Sequence, residues 1–184
     1  MITLVGISGS LRRASFNSSL LGAAAALAPE GSRIEIASIR EFPLYDGDLE
    51  AERGVPAAVT ALKDRIALAQ GVLIATPEYN GSIPGVLKNA IDWLSRPAQD
   101  IGRVFGDRPV AVMGATPGRA GTILSQAAWL PVLRHLNARP FFGARLMVSS
   151  AGSVFDAEGT LVDEGIKKQL TSFLEGFVAF ARPR

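Results

Sequence analysis

Two hydrophobic rhythms alternate along this chain. Short, nearly unbroken apolar runs come first: Ile2-Thr-Leu-Val-Gly-Ile7, Val72-Leu-Ile-Ala75 and Pro109-Val-Ala-Val-Met-Gly-Ala115. Runs of that length and continuity predict strands buried on both faces. Together with Arg33–Ser38 and Arg145–Ser149 they give five strands, over 2–7, 33–38, 70–75, 109–115 and 145–149. Between them the apolar positions recur with helical spacing. Leu20, Leu21, Ala24 and Leu27 mark a helix over about 16–27, and Val59, Leu62 and Ile66 one over about 56–68. Val86, Leu87, Ala90, Ile91 and Leu94 mark one from Pro84 to Ser95, opened by a proline suited to the first helical position. A long helix over about 122–138 carries Pro131, which should bend or break it. From Asp163, the residues Ile166, Leu170, Phe173, Leu174 and Phe177 mark a last amphipathic helix. The segments 42–48 and 100–107 read as irregular loops.

Strands alternating with helices imply βαβ units on a parallel sheet. Five such units fit an α/β, three-layer, flavodoxin-like fold with a five-stranded parallel sheet in the order 2-1-3-4-5. At 184 residues the chain is read as a single domain over 1–184. No apolar stretch reaches the roughly 18 residues of a membrane span, and the start reads as a strand, not a signal peptide. Cysteine is absent, so disulfides, thiolate nucleophiles and Cys-ligated metals are excluded. A cytoplasmic location is the expectation. The net charge is only +2, with basic residues scattered at Arg12-Arg13, Lys167-Lys168, Arg182 and Arg184. Nucleic-acid binding needs a concentrated basic face, so it is not expected. A local arginine pair suits a small anionic ligand better.

In an open α/β sheet, ligands bind in the loops at the carboxyl ends of the strands. Three such loops carry chemistry here. After the first strand, Gly9–Ser18 brings Ser10, Arg12, Ser15, Asn17 and Ser18 to a helix start, where backbone N–H groups point at the loop. Helix capping needs only Ser15 or Asn17. Arg12 beside three hydroxyls is better explained by a phosphate monoester. After the third strand, Pro77, Glu78, Tyr79, Asn80 and Gly81 form a tight polar turn with one aromatic, able to grip the edge of a flat heterocycle. Taken alone it is equally a structural turn. After the fourth strand, Thr116, Gly118 and Arg119 lead into a helix whose N–H groups and dipole can stabilise negative charge. By itself that loop also reads as a plain glycine-rich turn.

Several phosphate ligands are excluded by what the first loop lacks. It has no Gly-Lys-Ser/Thr, its glycines miss the Gly-x-Gly-x-x-Gly spacing, and Gly6-Ile7-Ser8-Gly9-Ser10 is not Gly-x-Ser-x-Gly. A serine hydrolase would need the only histidine, His135, which falls inside the long helix. It reads as a surface or interface residue. A phosphate at one end of the site and a planar, charge-accepting ring at the other describe FMN.

The motifs then carry a family likeness. Gly9-Ser-Leu-Arg-x-x-Ser15-x-Asn17, taken with Pro77-Glu-Tyr-Asn-Gly-Ser-Ile-Pro-Gly85 and Leu87-Lys-Asn-Ala-Ile-Asp-Trp93, resembles the NAD(P)H-dependent FMN reductases. The likeness is to the branch that holds bacterial quinone, chromate and azo-dye reductases. It implies tightly held FMN, with NAD(P)H as co-substrate and a small quinone-like molecule as electron acceptor in ping-pong order. By the same likeness Ser10, Arg12, Ser15, Asn17 and Ser18 hold the phosphate. Pro77 to Gly81 line the ring, and Thr116, Gly118 and Arg119 lie at its pyrimidine side. FMN carries the chemistry, so no acid–base residue is named, and no metal is expected. The likeness also implies a homodimer or homotetramer, with Tyr79, Trp93 and the 122–138 helix as contact candidates. The alternative is a flavodoxin-type electron carrier without its own NAD(P)H oxidation. Such carriers are usually strongly acidic, and this chain is not.

Overall fold

The computed structural model describes residues 1–182; Arg184, one of the scattered basic residues, lies outside them. The strands are β1 (Ile2–Ser8), β2 (Ser32–Ala37), β3 (Gly71–Ala75), β4 (Pro109–Ala115), β5 (Arg139–Pro140) and β6 (Leu146–Val148). The helices are α1 (Phe16–Ala26), α2 (Gly47–Arg53), α3 (Ala57–Leu68), α4 (Gly85–Leu94), α5 (Ile101–Val104), α6 (Ile123–His135) and α7 (Glu164–Ala181). All pairings are parallel, in the order β2-β1-β3-β4-β5, with β6 also bonded to β4. This is the flavodoxin-like order expected. The fifth position is filled by two short pieces. Val110 pairs with Val72 on one side and Pro140 on the other, and Met113 with Ala75 and Leu146. One edge strand, interrupted between residues 141 and 145, therefore replaces the continuous strand expected over 145–149.

The sheet separates two apolar layers. Leu4, Leu73, Ala111 and Met113 face α1 and α7, where Leu20, Leu21, Phe173 and Phe177 pack on them. Val5, Ile7, Val72 and Ile74 face α3, α4, α5 and α6, contributing Leu62, Ile66, Leu87, Trp93 and Trp129. Neighbouring residues in the central strands pack to opposite layers, which is why both of their faces read as apolar.

Four local expectations are corrected. The 42–48 segment is not wholly irregular: Asp46 accepts a hydrogen bond from the Asp48 N–H at 2.9 Å and starts α2, which buries no residue. The 100–107 segment folds as a helical turn and α5, burying Val104 and Phe105. It is tethered because Asp100 pairs with Lys63, itself 2% exposed. That ion pair holds the Asp100 carboxyl below the usual carboxylate range. The long helix runs unbroken through Pro131 and stops at His135, which is exposed. Buried Trp129 and Leu133 flank the proline, and their packing outweighs the roughly 3 kcal/mol that an interior proline costs. Val86, counted on the buried face of α4, is 38% exposed.

Candidate functional site

The loops after β1, β3 and β4 meet at the carboxyl edge of the sheet, and each junction has a named cause. Gly9 lies where a Cβ would come within 2.5 Å of a Leu87 methyl and 2.9 Å of the Pro77 ring. Only glycine lets the first loop rest on the second. Asn17 joins the first loop to the third. Its Nδ2 donates to the Ala115 carbonyl at 2.8 Å, and its Oδ1 accepts from the Ala115 N–H at 2.9 Å. The second and third loops meet beneath Gly114, where a Cβ would sit 2.2 Å from Thr122 Oγ1 and 2.3 Å from the Thr76 carbonyl.

Within the first loop the polar groups are lightly held. Ser15 caps α1 and accepts from the Ser18 N–H at 3.3 Å. Ser10 Oγ accepts from the Arg12 N–H at 3.3 Å, and the hydroxyls of Ser8 and Ser18 lie 2.9 Å apart. Arg12 is exposed and donates only to the neighbouring Ala14 carbonyl, at 2.7 Å. Ser10, Arg12, Ser15 and Ser18 thus gather at the α1 N-terminus. Asn17 is different: it is 3% exposed and both amide atoms are committed to Ala115.

The second loop is rigid. Asn80 and Gly81 both have positive φ, 52° and 71°, and Tyr79 and Ser82 exchange backbone hydrogen bonds at 3.2 and 3.1 Å. Two consecutive left-handed residues form the tight reversal that Asn-Gly favours. The Tyr79 ring, 48% exposed, is presented outward, while Pro77 is buried. Glu78 turns away along α6, where its Oε2 accepts from the Leu124 and Ser125 N–H groups at 2.8 and 3.0 Å. Further along the motif, Asn89 and Trp93 hold the strap after β2. Asn89 Oδ1 accepts from the Tyr45 N–H, and Asn89 Nδ2 and Trp93 Nε1 both donate to the Pro43 carbonyl, each at 2.8 Å. Trp93 is fully buried within the chain, which removes it from the contact candidates.

In the third loop, Thr116 donates its N–H to Val148 at 3.0 Å, and Gly118 accepts from the Ser150 N–H at 2.9 Å. Gly118 and Arg119 are exposed at the rim.

Three contributors were missed. Arg40, from the segment after β2, donates to the Leu11 carbonyl and brings a second guanidinium to the first loop. Thr76 and Ser125 share a buried hydroxyl contact at 2.8 Å across 49 residues of chain. No local pattern marks either; only the folded topology does. Among the described residues, no three His, Cys, Asp or Glu side chains gather to hold a metal, and no helix is long and apolar enough to cross a membrane.

The carboxyl edge of the sheet therefore offers hydroxyls, guanidinium groups and a helix N-terminus at one end, and a rigid turn with a presented aromatic at the other. Known proteins match this chain along its length. The family model described as NADPH-dependent FMN reductase matches residues 2–153. An NAD(P)H-dependent FMN reductase of Pseudomonas aeruginosa is 42% identical over 181 residues, covering 98% of this chain and 96% of that protein. A 2-hydroxy-1,4-benzoquinone reductase of a Burkholderia species is 39% identical over 176 residues, covering 96% and 94%. The solved flavoenzyme NAD(P)H:(acceptor) oxidoreductase FerB from Paracoccus denitrificans superposes with a TM-score of 0.87 at 34% identity, covering 98% and 97%.

Proposed function

From the premise that this chain belongs to the NADPH-dependent FMN reductase family, and is an oxidoreductase, we propose that it holds FMN across the three loops and passes electrons from NAD(P)H to a quinone-like acceptor. The observation that carries this reading is the convergence of the first loop with the second and third through Gly9 and Asn17. The residues fit the group. The Ser10 and Ser15 hydroxyls only accept, at 3.3 Å, from nearby N–H groups, Arg12 bonds only to the exposed Ala14 carbonyl and Ser18 shares a 2.9 Å contact with Ser8, so all four can turn to a phosphate at the α1 N-terminus. Arg40 steadies the loop through Leu11. Pro77 and the fixed turn Tyr79–Gly81 form a flat wall for the ring, and Thr116, Gly118 and Arg119 bound its pyrimidine end.

When bound, FMN supplies two-electron transfer, taking a hydride from NAD(P)H and delivering the electrons to the acceptor. The chain's own part is to bind, orient and leave one side of the site open. Tyr79 at 48% exposure and the exposed Gly118 and Arg119 border that opening, which NAD(P)H and acceptor would use in turn, a ping-pong order. The quinone class is supported by the Burkholderia relative, whose name carries a benzoquinone. The formal net charge of +2 differs from the strongly acidic balance usual in flavodoxin-type electron carriers. Ile123, Leu124 and Leu130 are exposed on α6, an apolar surface that supports pairing of this chain as a homodimer or homotetramer; a cytoplasmic location is part of the same reading.

The test is an FMN titration by fluorescence quenching, followed by anaerobic mixing with NADH or NADPH and a panel of quinones, chromate, azo dye and free flavin. Saturable quenching, bleaching by a nicotinamide and turnover with a quinone are expected. Failure to take up FMN would overturn the proposal.

A further inference from the structure

Helix α6 begins at Ile123 without a cap from the residue that precedes it. Thr122, the residue in the cap position, makes no side-chain bond to the helix N–H groups. Its Oγ1 instead accepts from Gln126 Nε2 at 3.0 Å. The N–H groups that a cap residue normally satisfies are those of the second and third helical positions, here Leu124 and Ser125. Both are taken by one carboxylate oxygen of Glu78, at 2.8 and 3.0 Å, from 46 and 47 residues away. The same two elements touch twice more. Thr76 Oγ1 lies 2.8 Å from Ser125 Oγ, both residues fully buried, and Gly81 rests where a Cβ would meet a Leu124 methyl at 3.3 Å.

We infer that Glu78 is a positioning residue: it latches the Pro77–Gly81 turn to α6 by capping that helix, closes the helix end to ligand, and sets a fixed negative charge beside the redox site. The inference rests on the FMN reading above. Its physical basis is simple. A helix N-terminus carries about half a positive charge, and a full carboxylate on it leaves that end neutral or negative. The dipole of α6 then does not stabilise negative charge on a bound ring, and the donors left for that task are those of the third loop, at Gly118 and Arg119. A negative charge in the wall of a cleft makes electron uptake there harder. Glu78 therefore holds the turn in place and holds the cofactor's potential down through one set of hydrogen bonds.

The two effects separate in two variants. Glu78→Gln keeps an oxygen that can accept from both N–H groups but removes the charge. FMN affinity should stay within about threefold of the parent protein, while the midpoint potential of the bound flavin shifts positive. Glu78→Ala removes the latch as well. In the FMN-free protein, amide exchange at Leu124 and Ser125 should speed up, and FMN affinity should fall about tenfold. Three results would overturn the inference: an unmoved potential in Glu78→Gln, a loss of FMN binding in Glu78→Gln as large as in Glu78→Ala, or unchanged exchange at Leu124 and Ser125 in Glu78→Ala. If the parent protein itself takes up no FMN, the cofactor reading fails with the redox half of the inference. The exchange measurement on the FMN-free protein still decides the latch.

Discussion

The Gly9–Ser18 loop and the Pro77–Gly81 turn meet at one edge of the sheet, yet they use their polar groups in opposite ways. In the first, Ser10 and Ser15 accept at 3.3 Å, Ser8 and Ser18 share a hydroxyl contact, and Arg12 reaches into solvent with only the Ala14 carbonyl as partner. In the second, the backbone closes on itself, Glu78 is spent on α6, and Thr76 is bonded inside the protein. One region keeps its donors for a ligand; the other keeps its shape. Substitutions in the first should therefore weaken binding without unfolding the chain, whereas those in the seam around the second should cost stability first.

The sharpest way to break that contrast is Gly114→Ala. The new Cβ would lie 2.3 Å from the Thr76 carbonyl, a backbone atom that no rotamer change can move. Either β4 or the chain at the end of β3 must shift, at a cost of about 3 kcal/mol. Calorimetry of the FMN-free protein should show Tm lower by roughly 10 °C. An unchanged Tm would mean that the second and third loops are not packed against each other as described.

Asn17→Ala tests the contrast from inside the first loop. Sequence reasoning groups Asn17 with the phosphate residues, but its amide spans from α1 to the end of β4. Truncation strands the buried N–H and carbonyl of Ala115, and about 2 kcal/mol of stability should be lost. Urea unfolding of the FMN-free protein measures this directly. A variant as stable as the parent but deficient in FMN uptake would return Asn17 to the ligand side of the comparison.

Asn17 also shows where sequence stops being informative. Its partner is 98 residues away, and nothing in Ser15-x-Asn17-Ser18 distinguishes a helix cap, a phosphate ligand and a cross-sheet clamp. Glu78 is the same case at a separation of 46 residues. What local pattern does report is burial: every strand with both faces covered and every helix with an inward stripe was legible, including α7 from its Asp163 cap, which bonds the Ile166 N–H at 2.8 Å. Helix α2 escaped because it buries nothing and so leaves no stripe, although Asp46 before Gly47 was a cap signal. The two-residue β5 is too short to carry a period, and α5 depends on Lys63, a distant and unusually buried lysine that reads in sequence as surface charge. The place of the site was legible from the topology rule for open sheets. Which polar residues remain free to use it was not, because that depends on partners the fold supplies.

Arg12→Ala should have the smallest effect on the protein and the most selective one. The side chain is exposed and its single hydrogen bond, to Ala14 at 2.7 Å, joins neighbours that solvent can serve equally well. Stability of the FMN-free protein should stay within about 0.5 kcal/mol of the parent. Phosphate binding loses one charge-assisted contact, worth about 1.5 kcal/mol at an exposed site, so FMN affinity should fall roughly tenfold. Salt gives the decisive control. The contact is electrostatic and solvent-facing, so raising ionic strength should weaken FMN binding to the parent more than to Arg12→Ala, bringing the two curves together. Equal salt dependence in both would move the phosphate away from Arg12, and a fall in stability matching the fall in affinity would make the first loop as structural as the second.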